Sequence, residues 1–420
     1  MRDAAVSSVT GIVLYLTGLI SGPILARVLG PAGRGDIAAV LTPLLLLGWL
    51  VPLGLPSAAA YYVDTVDTKT GTRRSTGELL ATVTVFGALV AAPVSVVLWY
   101  LAPAYLSGHS PVALTWARAL VVVLPLSAGV QAALEILRRL SPGVGWNRWR
   151  VAPILIQTTA IVVLAAFGRL TVSSALAASV GGSLTPLLLL LLCLSRSERR
   201  RPSMANLRLM LPYAWRSTLT TGASSLTLRL DQVLLVVFAP SAQLGLYAVA
   251  VTVASVTNPL NGISLALFGH LRRETVPGRA ESRFRRSLLA TLVLSATVAL
   301  GLAVVAPVVL RLVFGAAFEA AALPLRLLLP GAVAFDVLLL LNAKLYAEGR
   351  LGLTSRAAIV GALVTVGGVV LLVPRFGING AAGVTSLAYL IQVVYLASRG
   401  ALGCSSSSSS DERPSVLPGD

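Results

Sequence analysis

Apolar runs of about twenty or more residues recur from one end of the chain to the other. Each is long enough to cross a hydrocarbon layer roughly 30 Å thick. Short stretches rich in Pro, Gly, Arg and Ser separate them, and this punctuation predicts twelve helices: 4–27, 36–63, 78–102, 112–137, 151–168, 173–194, 217–238, 244–269, 287–310, 321–347, 353–373 and 379–398. The first interruption, "LARVLGPAGRGDIAAV" at 25–40, ends one helix in Arg27, turns through Gly30-Pro31 and Gly33-Arg34-Gly35, and starts the next.

Composition changes the picture only by confirming the solvent. Of 420 residues, 56% are hydrophobic and 12% charged, with a mean hydropathy of +0.85. An ordinary soluble domain is excluded. A net charge of +17 would suggest nucleic acid in a soluble protein, but here the basic residues sit in clusters between apolar runs. With alternating sides, one set of connections holds twenty-five Lys and Arg and the other five, leaving Arg118, Arg229 and Arg326 inside spans. The positive-inside bias then places both termini in the cytoplasm, and no nucleic-acid partner is expected.

The first apolar run lacks a convincing small-residue cleavage site and reads as a retained span. Cys193 and Cys404 offer neither a disulfide framework nor metal spacing, and no cofactor motif appears. The tail after residue 400, with six serines at 405–410, has nothing to bury and reads as disordered.

An internal repeat organises the spans. At an offset near 209 residues, Phe167-Gly168 recurs as Phe376-Gly377, Arg118 falls near Arg326, and Gly35 near Gly245. "FAPSAQLGLYAVA" at 238–250 repeats the plan of the first interruption. Six spans per half make the halves parallel, related by an axis along the membrane normal. The expected organisation is a bundle at 1–195, a basic cytoplasmic linker at 196–216, a second bundle at 217–400 and the tail at 401–420. The fold class is thus all-α: twelve transmembrane helices in two parallel six-helix bundles.

Three segments carry a resemblance. "ARVLGPAGRGDIAAV" followed by "GLPSAAAYYV", "LRLDQVLLVVFAPSAQLGLYAVA" at 228–250, and "PRFGINGAAGVTSLAY" at 374–389 resemble Wzx-like polysaccharide flippases of the multidrug/oligosaccharidyl-lipid/polysaccharide exporter superfamily. The resemblance implies a bacterial plasma-membrane location and a V-shaped pair of bundles exposing a cavity alternately to each face. It also implies a cargo of oligosaccharide on undecaprenyl pyrophosphate, moved from inner to outer leaflet, with a polysaccharide polymerase and glycosyltransferases as partner enzymes. Arg34 and Asp36 depart from the bulkier residues such proteins carry around Gly35.

A sugar-pyrophosphate head needs a wet, cationic groove, and guanidinium suits phosphate oxygens through its bidentate fork. Arg229, about 18 Å into the seventh span, is the first candidate, because a charge at that depth needs a cavity or a partner. Arg118 and Arg326, as repeat mates, are candidates for a phosphate-receiving pair; snorkelling to headgroups is the simpler reading. Arg27 and Arg34 are candidates for the outer mouth. Asp336 and Asp231 are candidates for a coupling proton or cation. Glu135 with Arg138 and Arg139, and Lys344 with Glu348, fit intrahelical ion pairs. Pro43 and Pro52 in the second span, and Asn258-Pro259 in the eighth, are candidate bending points.

Other classes fit less well. Lys69-Thr70 lacks the glycines of a phosphate-cradling loop, and His109 and His270 are isolated. A polyprenol-dependent polymerase would usually present a sizeable acidic outer loop, which is absent here. Export of cationic drugs favours acidic aromatic pockets, whereas aromatics are 6% of this chain.

Overall fold

The computed structural model describes residues 2–66, 75–141, 143–195, 201–218, 223–256 and 277–401. Thirteen helices carry them: α1 Arg2–Leu50, α2 Leu55–Tyr62, α3 Thr76–Tyr105, α4 Pro111–Val121, α5 Ser127–Leu140, α6 Val144–Ala166, α7 Val172–Ser195, α8 Met204–Ser217, α9 Ala223–Phe238, α10 Ser241–Ala254, α11 Pro277–Val309, α12 Ala322–Ala347 and α13 Leu351–Leu396. Seven helices among the described residues are long and apolar enough to cross a membrane, and an eighth if α4 and α5, bent by 40°, form one span. This is a multi-pass membrane protein.

Two of those helices are double passes. At 1.5 Å per residue, α1 would stretch to about 73 Å, more than twice the hydrocarbon thickness. Gly30, at φ 67° and ψ −177°, breaks it, and Pro31 opens the second half with a φ suited to a first helical turn. Gly377, at φ 56°, divides α13 in the same way. Counting α1 and α13 twice, taking α2 with the second half of α1, α4 with α5 and α8 with α9, the described helices accommodate the twelve passes that the apolar pattern predicts. Asn258, Pro259 and His270 lie outside the described residues, as do Lys69 and the tail from residue 402.

The second pass is broken by its own sequence. Pro52 has no N–H to give the Gly48 carbonyl four residues back, and the Gln131 amide of α5 donates to that carbonyl instead. Leu53 (φ 49°) and Gly54 (φ 66°) then follow in left-handed conformations before α2 resumes. Pro43, by contrast, stays inside α1.

The stretch expected as a linker is partly helical. Ser203 caps α8, its hydroxyl accepting from the Asn206 N–H at 3.3 Å. Met210 and Ala214 are buried with α2, α3 and α5, and Tyr213 stacks on Tyr61 with ring centroids 4.6 Å apart. The six arginines of 196–216 hide this helix in a composition-based reading, because its buried stripe is only a few residues wide.

Core packing describes a wedge. The passes turn at Gly30, Leu106–Ser110, Gly168, Ala239–Pro240, Gly315 and Gly377, which define a turn face opposite the terminal face. Near the turn face, residues of both halves form one cluster: Leu25, Ala26 and Ile37 to Val40 pack with Leu244, Tyr247, Val249, Phe314 and Phe318. Toward the terminal face the apolar core splits. Leu55, Leu79, Ala132 and Met210 belong to one cluster, and Phe284, Leu341, Leu345 and Leu396 to another.

Candidate functional site

The closed end of the wedge is built on backbone contact. A β-carbon at Gly35 would lie 2.5 Å from the Ser241 carbonyl carbon and 3.0 Å from the Gly245 nitrogen. A β-carbon at Gly245 would lie 2.8 Å from the Pro31 carbonyl carbon and 2.9 Å from the Gly35 nitrogen. The contact is reciprocal: each glycine abuts the start of the helix that carries the other. This is what two parallel halves meeting at an axis along the membrane normal produce.

Polar groups surround this seam. Asp36 is 5% exposed. Its Oδ1 accepts from the Ser241 hydroxyl at 2.5 Å and from the Ser110 N–H at 3.3 Å. The Ser241 N–H also donates to the Gly108 carbonyl at 3.3 Å. One carboxylate thus gathers the second pass, the eighth pass and the α3–α4 connection. Arg27 spans the halves from the first pass, donating through Nε to the Val313 carbonyl at 2.9 Å and through Nη2 to Leu312. His109 in the α3–α4 connection is half-buried, with neither ring nitrogen hydrogen-bonded. Burial lowers its pKa below the ordinary histidine value, and the nearby Asp36 carboxylate partly offsets that.

The intramembrane charges fall into separate surroundings. Arg229 is half-buried on α9, the helix that packs on both α1 and α13 and so stands at the junction of the halves. Asp231, two residues on, is 5% exposed and turned into the second bundle. It accepts from the Tyr247 hydroxyl, from Thr385 Oγ1 at 3.0 Å and from the Gln232 N–H at 2.8 Å. Asp336 is wholly buried on α12, where Oδ2 accepts from the Ser295 hydroxyl of α11 at 2.5 Å.

Arg118 and Arg326 do not meet. Arg118 lies over the Trp99 ring, 5.7 Å from its centroid, and Arg326 is exposed and donates to the Ala303 carbonyl at 2.9 Å. Each is held by the preceding span of its own half, so the repeat relates their positions without bringing their charges together. Arg34 is half-buried, with Nε unpartnered.

The ion pairs at the terminal face are partly local. Glu135 pairs with Arg138 at 2.5 Å, whereas Arg139 reaches Asp64 beyond α2 at 2.8 Å. Lys344 lies 3.8 Å from Glu348 and also over the Phe284 ring. No group of three His, Cys, Asp or Glu suited to a metal occurs among the described residues.

Asp36, Ser241, Tyr247, Thr385 and Ser295 were not among the sequence candidates for binding or coupling. In sequence Asp36 stands out only as a departure from resembling proteins, although it is an acid beside a repeat-matched glycine. The hydroxyl partners carry no signal of their own.

The model of the polysaccharide biosynthesis protein family matches residues 1–268, well over half of the chain. No curated protein sequence matches it. Among solved structures, the chain is similar to the lipid II flippase MurJ in an inward closed conformation, with 14% identity, a TM-score of 0.77, and 93% of this chain and 86% of that one covered. It is also similar to an inward-facing multidrug resistance MATE family transporter, with 15% identity, a TM-score of 0.71, and coverage of 92% and 94%. An outward-facing MATE family transporter gives 14% identity, a TM-score of 0.60, and coverage of 96% and 94%. The higher scores thus fall on inward conformations, in keeping with a core that is single at one face and split at the other. With the family match over 1–268, the chain belongs to the polysaccharide biosynthesis protein family.

Proposed function

We propose that this protein moves a polyprenyl-pyrophosphate-linked oligosaccharide from the inner to the outer leaflet by alternating access, without covalent chemistry. The wedge carries the reading: one core joins the halves at the turn face, and two cores separate at the terminal face. The positive-inside bias assigns the terminal face to the cytoplasm, so this state takes cargo from inside. Membership of a polysaccharide biosynthesis family supports a glycan cargo, and likeness to a lipid II flippase supports a lipid-linked one.

In this reading Arg229, at the junction of the halves, meets the pyrophosphate as it enters, and Arg27 and Arg34 line the outer mouth. Asp231 and Asp336 hold a coupling proton or cation inside the second bundle. Their burial among hydroxyl groups there argues against a direct contact with a cationic drug, the runner-up cargo. Pro52 provides the bend of the second pass. Glycosyltransferases and a polymerase would act before and after the flip.

Vesicles holding the purified protein and a fluorescent pyrophosphoryl-linked sugar test the reading by the rate at which label crosses. Wild type should accelerate crossing, and Arg229→Ala should slow it about tenfold, a modest loss for a desolvated charge-assisted contact. Crossing no faster than in empty vesicles would refute the function. Unchanged crossing in the variant would remove Arg229 from the pathway.

A further inference from the structure

The break in the second pass divides two environments. On one side lies a groove of about 270 Å³ between α2, α3 and α8, lined by Leu53, Leu55, Phe86, Val90, Leu211 and Trp215 among other apolar residues. That volume is near the lower end for ligand pockets, about 300 Å³. On the other side lies a niche of mixed lining with room for about one water, where Ser57, Gln131, Glu135 and Thr218 meet Trp49 and Pro52. Consecutive residues serve opposite sides: Leu53 and Leu55 face the groove, Pro52, Gly54 and Pro56 the niche. On α8, Ala214 and Trp215 face the groove, and Ser217 and Thr218 the niche.

Three observations point to an amphiphile. Leu53 holds a left-handed conformation (φ 49°) that residues with side chains rarely adopt, and it does so where the lining changes character. Phe86 and Val90 lie ten and fourteen residues into α3, about 15 and 21 Å from its terminal-face end, so the groove runs at hydrocarbon depth. The niche side leads through Glu135 to Arg138 and Arg139, whose guanidinium groups are exposed and pair with Glu135 and Asp64. Such pairs contribute little and can be exchanged for a phosphate.

We propose that the groove between α2, α3 and α8 seats the polyisoprenoid chain of the cargo lipid, while its pyrophosphate stays at the terminal-face mouth beside Arg138 and Arg139. The inference rests on the flippase reading and adds a seat for the chain to the path of the head. The break keeps the chain on its apolar side as the head moves along the polar one. The aromatic faces of Phe86 and Trp215 suit a branched, methyl-bearing chain.

The test uses the full chain in phospholipid vesicles with a polyprenyl pyrophosphate bearing a diazirine on its chain. After irradiation, adducts should map to α3 and α8 at the groove, and excess unlabelled polyprenyl pyrophosphate should suppress them. Val90→Trp and Leu211→Trp, filling the groove from opposite walls, should each lower adduct yield at least about fivefold, the equivalent of one or two buried CH₂ groups. Val97→Trp, also on α3 and 54% exposed, should leave it unchanged. Adducts spread over other helices, or suppressed by excess phospholipid but not by the polyprenyl compound, would overturn the proposal. Flipping measured on the same vesicles separates the two readings: wild type that flips without groove adducts overturns the seat alone, and wild type that does not flip overturns the transport function.

Discussion

The closed end of the wedge makes a quantitative demand on Gly35. A β-carbon there would lie 2.5 Å from the Ser241 carbonyl carbon and 3.0 Å from the Gly245 nitrogen, whereas nonbonded carbons rest at about 3.5–4.0 Å. These neighbours are backbone atoms of the first turn of α10, so they move only if the halves part by about 1 Å. Overpacking of this kind costs roughly 1–3 kcal/mol. In the alternating-access reading the cost falls on the turn-face-closed state alone, so Gly35→Ala should shift the closed-to-open ratio roughly 5- to 150-fold toward open. The assay is labelling of a cysteine at Ala38, which is buried beside the seam, in a Cys193→Ser/Cys404→Ser background with a membrane-impermeant thiol reagent. Labelling from the turn face should rise about tenfold or more. Should the rate stay unchanged in Gly35→Ala protein of undiminished thermal stability, the seam is not what closes that face.

The polar ring around the seam gives related outcomes. Ser241→Ala removes a buried hydroxyl from Asp36 and should raise turn-face labelling by the equivalent of about 1–3 kcal/mol; labelling below wild type would contradict this. In the closed state burial holds the His109 pKa below its ordinary value of 6.5, so closure is fully favoured above about pH 6.5 and weakens as pH falls below it. Labelling, taken relative to the reagent's rate with a free thiol at the same pH, should therefore rise from about pH 7.5 to about pH 5, and His109→Gln should flatten that dependence. Asp231→Asn keeps the side-chain volume but removes the charge, and transport in vesicles should lose its dependence on an imposed proton or cation gradient while the protein remains folded. Ser295→Ala leaves the buried Asp336 carboxylate short of one donor, and thermal unfolding should show a loss of about 1–3 kcal/mol.

Hydropathy carries depth but not direction, and this divides what the sequence revealed from what it did not. The passes, the turns at Gly30 and Gly377 and the correspondence of Gly35 with Gly245 follow from apolar runs and from glycines that only a turn or a close approach requires. Helix α8 stayed hidden because six arginines mask two buried apolar residues, Met210 and Ala214. The depth of Arg118 was readable, yet its Trp99 partner nineteen residues earlier was not, since no spacing rule joins separate spans. Asp231 stood out as an acid in hydrocarbon, but Thr385, 154 residues away, meets it only through the packing of α9 on α13.

Because Gly35 and Gly245 each rest on the other half's main chain, the join between the halves has no side chain at its centre to exchange. A larger residue at one position cannot be relieved by a smaller one at the other, since glycine is already the minimum. In the alternating-access reading, adaptation to a bulkier or smaller cargo would therefore reset the balance between conformations from the periphery, through groups such as Asp36, Ser241 and Arg27, and leave the glycine join untouched.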